Sequence, residues 1–185
     1  MAKIKVTETG IKDLVIVEPR VFGDERGYFM ETYSKGEFAE QGLVMDFVQD
    51  NESSSKRGVL RGLHFQKKNP QGKLVRVIFG EVLDVAVDMR KSSGTFGKHY
   101  AVNLSGENKK MFYVPEGFAH GFVVLSQQAV FTYKCTRLYA PDDEGGIAWN
   151  DPKLSIDWKI SENEVLLSDK DKLHKNFDEQ DFYFE

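Results

Sequence analysis

The sequence predicts an all-β fold, a sandwich or a barrel, for a chain of 185 residues. Short segments of strand-like pattern recur about every ten residues, and turn-forming residues separate them. The chain also contains 14 Phe and 7 Tyr, residue types that favour strands. A chain of this length can bury a sizeable core in one domain, so we assign residues 1–185 to a single domain.

The predicted elements follow one another with little else between them. A turn at residues 24–27 precedes a strand, and the one clear helical signal covers residues 34–41. Ser34 can cap that helix because Glu37 follows three positions later, and Gly42 stands just past its end. The tail from Ser161 onward is polar and is expected to form a short helix and coil. Strands are predicted over residues 4–8, 14–18, 28–33, 47–53, 59–66, 74–79, 82–89, 99–104, 110–114, 120–125 and 129–138.

The strand over residues 82–89 is informative because both of its faces are defined. One face carries apolar residues only, namely Leu83, Val85, Val87 and Met89. The other face carries Asp84 and Asp88. In a sandwich that second face would meet solvent, whereas in a barrel with a wet interior one acid would lie beside a histidine. Periodicity alone does not choose between the two.

Composition excludes several classes of function. A net charge of -4 gives no basic footprint, so we expect no nucleic-acid partner. Cys135 is the single cysteine, which excludes an intrachain disulfide and fits a reducing compartment. We expect Cys135 to pack in a strand rather than to act as a nucleophile, because its neighbours supply no base. The N-terminus lacks an apolar signal region and no apolar run has transmembrane length, so we expect a cytoplasmic protein without membrane contact.

Two segments each place a histidine at the edge of an apolar strand. They are G-V-L-R-G-L-H-F-Q at residues 58–66 and P-E-G-F-A-H-G-F at residues 115–122. Together they resemble the two half-motifs of the cupin barrel, in which metal-binding members carry H-x-H in the first half. Gln66 stands where the second of those histidines would be. The ligand set is therefore incomplete, we expect no metal, and an imidazole is free to act as a general base.

Seven motifs occur in the same order as in one particular family. The stretch from Phe22 to Asp171 resembles the dTDP-4-dehydrorhamnose 3,5-epimerase family. The matching segments are residues 58–66, Q-G-K-L-V-R-V at 71–77, G-E-V-L-D-V-A-V-D-M-R at 80–90, residues 115–122, Y-K-C-T at 133–136, Y-A-P-D-D-E-G-G-I-A-W-N-D-P at 139–152 and L-S-D-K-D at 167–171.

The resemblance implies a fold and an activity. The fold is a cupin-type antiparallel jelly roll with short helical segments near the C-terminus, and two copies form a homodimer by sharing strands. The activity inverts C3 and C5 of a dTDP-4-keto-6-deoxy-D-glucose without cofactor or metal. Both carbons flank the C4 ketone, which acidifies their protons. Inversion therefore needs a base, a group that holds the enolate oxygen, and an acid on the opposite face.

The resemblance also implies the catalytic residues. His64 is the base and Asp171 its carboxylate partner, with Asp84 as a second candidate and Asp169 as a neighbouring alternative. Taken alone, His64 would equally suit a structural role. The same resemblance makes Tyr133 the acid and Lys73 the cation at the C4 oxygen. Without it, Tyr133 would be read as core packing and Lys73 as an ordinary hairpin lysine.

The remaining site residues are expected to bind substrate. Arg26 and Arg61 would neutralise the diphosphate, because a guanidinium offers a fork of donors. Tyr139 would stack on thymine, and Gln49, Asp50 and Asn51 would contact the nucleotide across a dimer interface. By composition alone most of these are ordinary surface residues. The full set is Phe22, Arg26, Glu31, Gln49, Asp50, Asn51, Arg61, His120, Tyr139, Glu144 and Lys170.

Three other functions stay open from the sequence. A relative that epimerises only C3 or only C5 of a related sugar would carry the same base and a similar tyrosine. A metal-dependent cupin would need a third ligand in place of Gln66. A non-catalytic module that binds a sugar nucleotide would have no use for a proton acceptor opposite a phenol.

Overall fold

A computed structural model describes residues 3–185 as two antiparallel sheets packed face to face, with a separate hairpin. The strands are β1 (Ile4–Glu8), β2 (Val15–Pro19), β3 (Val21–Asp24), β4 (Gly27–Met30), β5 (Gln49–Lys56), β6 (Leu60–Gln66), β7 (Lys73–Phe79), β8 (Glu81–Asp88), β9 (His99–Ser105), β10 (Met111–Val114), β11 (Phe118–Val124), β12 (Gln128–Cys135) and β13 (Glu144–Gly146). The first sheet has the order β1-β2-β10-β7-β12-β5, and the second has the order β13-β6-β11-β8-β9. The predicted all-β jelly roll is confirmed.

The helical prediction is confirmed in place but not in detail. α1 spans Lys35–Glu40, and Gly42 follows it with a φ of 80°. Ser34 occupies the N-cap position, yet its side chain makes no capping hydrogen bond. The polar tail forms single 3₁₀ turns instead of one helix. These turns are Glu162–Glu164, Asp171–Leu173 and Phe177–Glu179, and a further one lies earlier at Pro141–Asp143.

Apolar side chains fill three layers. The largest cluster lies between the two sheets and includes Val75, Phe112 and Phe131 from the first and Phe122 from the second. Residues 147–185, which we call the C-terminal segment, cover the outer face of the second sheet with Trp158 and other apolar residues. α1 covers the outer face of the first sheet. Each sheet is thus covered on both faces over much of its area.

This layering explains both faces of β8. Leu83, Val85 and Val87 face the C-terminal segment. Asp84 and Asp88 lie on the inner face and are fully buried, so of the two alternatives left open by the sequence, the face that meets solvent is excluded. Each acid has its own partners. Asp84 lies beside His120, whereas Asp88 accepts hydrogen bonds from Arg90, Ser93 and Thr95.

A β-bulge interrupts the pairing of β6 with β11. His64 pairs with His120, but Arg61 pairs with Phe122, so three steps along β6 match two along β11. Strict alternation would place Arg61 and His64 on opposite faces of the sheet. The extra residue restores them to one face. Gly62 occupies this position with a φ of 134°, and a Cβ built on it would lie 2.5 Å from the Cα of Gly121.

The hairpin of β3 and β4 pairs with neither main sheet in the part of the chain that the structure describes. Strand β4 ends at Met30, short of the predicted end at residue 33. The hairpin exposes large apolar side chains, namely Val21, Phe22, Tyr28 and Phe29. Such a patch is typical of a surface that meets another molecule.

Two smaller predictions concern Cys135 and membrane contact. Cys135 is buried at the end of β12, as expected for a packed cysteine. Within residues 3–185, the structure contains no helix of the length and hydropathy needed to span a membrane.

We expect Gly62→Ala to lower the free energy of unfolding by about 2 kcal/mol or more. The added methyl group would meet the backbone of β11, and alanine at this positive φ is strained. Urea denaturation followed by circular dichroism measures the change.

Gly36→Ala is the matched control, because Gly36 lies in α1 and a methyl group added there would meet nothing within 4 Å. Gly36→Ala should raise the free energy of unfolding by between zero and about 1 kcal/mol, because alanine favours the helix more than glycine does. Equal stability of the two variants would contradict the close approach at the bulge.

Candidate active site

The structure contains an open cavity of about 830 Å³. Strands of both sheets and the C-terminal segment contribute side chains to its wall. Ten of the predicted site residues line it: Asn51, Arg61, His64, Lys73, His120, Tyr133, Tyr139, Glu144, Lys170 and Asp171. The fold therefore gathers groups that lie up to 120 positions apart in the sequence, from Asn51 to Asp171, at one place.

His64 and Asp171 form a hydrogen-bonded pair. Nε2 of His64 lies 2.6 Å from Oδ1 of Asp171, and the carboxylate is almost fully buried. Burial opposes ionisation of Asp171, but its hydrogen bonds with the His64 and Ser168 side chains outweigh it and hold the pKa below the ordinary value. Asp171 is thus a carboxylate that orients the imidazole. The alternative acid, Asp169, is exposed and pairs with Lys172.

The second candidate partner, Asp84, belongs to a different histidine. Its Oδ1 lies 2.8 Å from Nε2 of His120, and its Oδ2 has no hydrogen-bond partner among the described residues. Burial raises the pKa of Asp84, against the opposing influence of His120 and Lys73. Burial also lowers the pKa of Lys73, and Asp84 is among the groups that counter this. Asp84 and Lys73 are therefore coupled within the sandwich.

Lys73 and Tyr133 lie on neighbouring strands of the first sheet. Lys73 pairs with Cys135 across β7 and β12, which places Tyr133 two residues along on the same face. The Lys73 Nζ lies 5.9 Å from the centre of the Tyr133 ring. Burial, followed by nearby Cys135, raises the pKa of the Tyr133 phenol. The phenol therefore stays protonated at neutral pH.

The outer rim of the cavity carries a polar network. The Tyr139 hydroxyl donates to Glu144 at 2.9 Å, and Lys170 forms an ion pair with the same carboxylate. The backbone N–H of Tyr139 donates to Gln49 Oε1, so Gln49 supports the rim although it does not line the cavity. The guanidinium of Arg61 contacts only Ser55 Oγ through hydrogen bonds in the described chain, which leaves donors for a ligand.

Besides Gln49, four predicted site residues lie outside this cavity. Phe22 and Glu31 line a separate depression beside the hairpin, and Arg26 is exposed at the hairpin tip, where it pairs with Asp24. Asp50 faces a neighbouring groove and pairs with Lys134. One chain alone therefore does not bring these residues to His64.

His174 is the site residue that the sequence analysis missed. Its ring packs edge-on against the ring of His64, with centroids 5.4 Å apart, and its Nε2 lies 3.9 Å from Oδ1 of Asp171. One feature of the sequence could have indicated it. His174 follows Asp171 by three residues across a short helical turn, a spacing that brings the two side chains close together. Donor atoms of His64, Asp171 and His174 all lie within 4.8 Å of one another.

Gln66, which replaces the expected metal ligand, has a structural role. Its side-chain amide donates to the backbone oxygen of Asn69, and its amide oxygen accepts from the backbone N–H of Ala140. These bonds tie together two loops beside the cavity. Gln66 therefore does not belong to the cluster formed by His64, Asp171 and His174.

Comparison with known proteins identifies relatives along nearly the whole chain. The family model for dTDP-4-dehydrorhamnose 3,5-epimerase matches residues 8–179. The dTDP-4-dehydrorhamnose 3,5-epimerase of Methanothermobacter thermautotrophicus is 52% identical over 184 residues, which cover 99% of this chain and 100% of the relative.

Solved structures of the same enzyme have the same fold. The dTDP-4-dehydrorhamnose 3,5-epimerase of Elizabethkingia anophelis superposes with a TM-score of 0.93 at 54% identity, covering 97% of this chain and 100% of that one. A Legionella pneumophila dTDP-6-deoxy-D-glucose-3,5-epimerase, solved in complex with dTDP-4-keto-L-rhamnose, has a TM-score of 0.93 at 51% identity. The match covers 96% of this chain and 95% of the Legionella chain. The family predicted from the sequence motifs is confirmed.

We expect the Tyr133 phenol to ionise at a higher pH than free tyrosine, whose pKa is about 10. Burial favours the neutral form, so more alkaline solution is needed to remove the proton. The measurement is the ultraviolet difference spectrum between the wild type and Tyr133→Phe after rapid pH jumps, with a blocked tyrosine as reference. A difference spectrum that develops at or below the pH of the reference would contradict this.

Proposed function

The chain belongs to the dTDP-4-dehydrorhamnose 3,5-epimerase family, and we propose that it converts dTDP-4-keto-6-deoxy-D-glucose into dTDP-4-keto-L-rhamnose by inverting C3 and C5. Relatives of about half-identical sequence and full length carry the name of this activity. The observation that carries the proposal is the hydrogen-bonded pair of His64 and Asp171 in the same cavity as the protonated phenol of Tyr133.

His64 acts as the base in this proposal. Its Nε2 is engaged by Asp171, so Nδ1 is the nitrogen that takes the proton from carbon. The imidazolium that forms is stabilised by the adjacent carboxylate, which is already ionised because its pKa is depressed. A positioned base of this kind contributes about 10²–10⁴-fold to the rate.

Lys73 stabilises the enolate that follows. The negative charge develops on the C4 oxygen, and a buried ammonium interacts strongly with it because water is largely absent. Burial lowers the pKa of Lys73, which makes the cation costly before substrate binds. An oxyanion beside it offsets that cost, so Lys73 favours the enolate over the ketone.

Tyr133 returns a proton to the opposite face. It extends from the first sheet, whereas His64 extends from the second, so the two groups approach the cavity from different walls. A raised pKa keeps the phenol protonated until carbon needs the proton. After each inversion, solvent exchange restores both groups.

The nucleotide and diphosphate bind toward the rim. Arg61 and Lys170 supply cations, Tyr139 offers a ring for thymine, and His120 and Glu144 complete the polar wall. No cofactor takes part in the proposed reaction. A single domain performs it, and we place it in the cytoplasm, where a chain with one buried cysteine remains reduced.

A mono-epimerase remains the second candidate, because inversion at one carbon uses the same base, cation and acid. Family membership and the names of the similar full-length relatives favour inversion at both carbons. The two activities differ in how many carbons exchange their proton with solvent.

The active site is proposed to be completed by a second copy of the chain. Phe22, Arg26 and Glu31 lie on or beside the hairpin of β3 and β4, away from His64 of the same chain. The hairpin is exposed and apolar, and an arginine stands at its tip. In a homodimer it would deliver Arg26 to the diphosphate in the partner's cavity. Gln49, Asp50 and Asn51, on the edge strand β5, would lie near this contact.

We expect His64→Ala to reduce deuterium incorporation at C3 and C5 by at least about 10²-fold. Proton NMR in D₂O of the chelator-treated protein with dTDP-4-keto-6-deoxy-D-glucose measures both positions, and a rhamnose-forming reductase traps the product. Exchange at one carbon only in the wild type would identify a mono-epimerase.

Tyr133→Phe is the informative companion variant. It should still exchange a proton with retention while losing most product formation, because abstraction precedes reprotonation. Both variants should bind dTDP like the wild type in calorimetry. Wild-type turnover by His64→Ala would refute the assignment of the base.

We expect subunit complementation if the hairpin serves the partner's cavity. The variant His64→Ala and the double variant Phe22→Ala/Arg26→Ala should each have low activity, since each lacks a different part of every site. Mixing them, unfolding and refolding together should restore about one quarter of the wild-type activity, because random pairing creates one intact site in about four.

The matched control replaces the double variant by Tyr133→Phe, whose defect lies on the same chain as His64 within the cavity. Mixed with Tyr133→Phe, His64→Ala should not regain activity, because every site then keeps one defect. A monomer in sedimentation analysis, or equal recovery in both mixtures, would refute the shared site.

A further inference from the structure

We propose that His64, Asp171 and His174 form an inhibitory binding site for a divalent transition metal ion of the Zn²⁺ or Co²⁺ type. Their donor atoms lie within 4.8 Å of one another. Two of the separations are 2.6 Å, from His64 Nε2 to Asp171 Oδ1, and 3.9 Å, from His174 Nε2 to the same oxygen.

The geometry is close to that of a bound ion. Zinc bonds of about 2.0–2.2 Å in a tetrahedral arrangement place neighbouring ligand atoms roughly 3.3–3.5 Å apart. To hold zinc, the distance from His64 to Asp171 must therefore lengthen by less than about 1 Å. The distance from His174 to Asp171 must shorten by about 0.5 Å. Small side-chain rotations provide such changes without movement of the strands.

The ligand chemistry selects the class of ion. Two imidazoles and one carboxylate suit Zn²⁺, Co²⁺ or Fe²⁺, whereas Mg²⁺ and Ca²⁺ prefer oxygen ligands. Three protein ligands leave one position open, as in catalytic zinc sites. That position would face the cavity, since His64 and Asp171 both line it.

His174 is the observation that points to a ligand. Its side chain is only 9% exposed. Nδ1 is buried without a hydrogen-bond partner in residues 3–185, and Nε2 lies 3.9 Å from Oδ1 of Asp171, beyond hydrogen-bond distance. Nε2 is therefore the nitrogen that faces the carboxylate without bonding to it. A metal ion placed between Nε2 and Asp171 would bond to both.

The backbone holds His174 in place for this contact. The neighbouring residue Lys175 forms a bridge with Ile147, and its carbonyl oxygen accepts from the N–H of Ala148. The ring lies directly over Gly146, where a Cβ would overlap ring atoms at 2.2–2.5 Å. His174 is therefore fixed against the pair rather than free to turn away.

Metal binding would block the proposed reaction, and this consequence rests on the proposed function. The ion takes Nε2 of His64 and the carboxylate of Asp171. The proton that they share moves to Nδ1 of His64, because a neutral imidazole that binds a metal through Nε2 carries its hydrogen on Nδ1. His64 can then no longer accept a proton from carbon, so metal and turnover exclude each other.

The test compares the wild type with His174→Gln after treatment with a chelator. Co²⁺ titration monitors the visible absorption of a tetrahedral site directly, without any substrate. Zn²⁺ inhibition of deuterium exchange is then measured, with each variant scored against its own metal-free rate. We expect the His174→Gln variant to need at least about tenfold more Zn²⁺, and to lose the tetrahedral Co²⁺ spectrum.

His99→Gln and Cys135→Ser are the matched controls, because each removes an imidazole or a thiol outside the proposed site while leaving the three proposed ligands. Both should keep the wild-type sensitivity to Zn²⁺. No tetrahedral Co²⁺ spectrum in the wild type, or equal metal affinity in His174→Gln, would overturn the proposal. If the metal-free wild type exchanges no proton, the proposed function fails, while the Co²⁺ titration still decides the metal site.

Discussion

The close approach of β6 and β11 at Gly62 and Gly121 is the constraint on which the candidate site depends. A side chain at either position would overlap the backbone of the other strand. The approach accommodates one extra residue in β6, and that residue turns Arg61 and His64 to the same face. Without it, one of the two would point into the apolar layer under the C-terminal segment. The geometry of the cavity is thus set by the absence of two side chains.

The candidate site also requires the C-terminal segment, because this segment supplies the carboxylate that bonds to Nε2 of His64. Asp171 lies 107 residues from His64 in the sequence and reaches it from a single 3₁₀ turn. The same segment covers the outer face of the second sheet with apolar residues, including Trp158 and Phe177. Packing and site geometry are therefore linked, because the apolar contacts that hold the segment also fix the position of Asp171.

Local sequence pattern predicted α1, the buried cysteine and every strand except β3 and β13, because these features depend on neighbouring residues. It could not choose a face for Asp84, since the inner and outer layers of β8 are both closed by distant parts of the chain. His174 escaped notice because its contact with His64 arises only in three dimensions. Family resemblance supplied Phe22, Arg26 and Glu31. Their distance from the cavity follows from the exposed hairpin, which pairs with neither main sheet among the described residues, and strand periodicity carries no signal for that separation.

The two carboxylates of the sandwich have opposite environments, and this difference assigns their tasks. Asp171 has hydrogen bonds that outweigh burial, so its pKa falls and it remains charged beside His64. Asp84 is more deeply enclosed, one of its oxygens has no partner in the described chain, and its pKa rises. Burial thus opposes charge on both Asp84 and Lys73. In the proposed reaction an enolate oxygen beside Lys73 would offset the cost of the lysine's charge, so the site would favour the intermediate over the ketone.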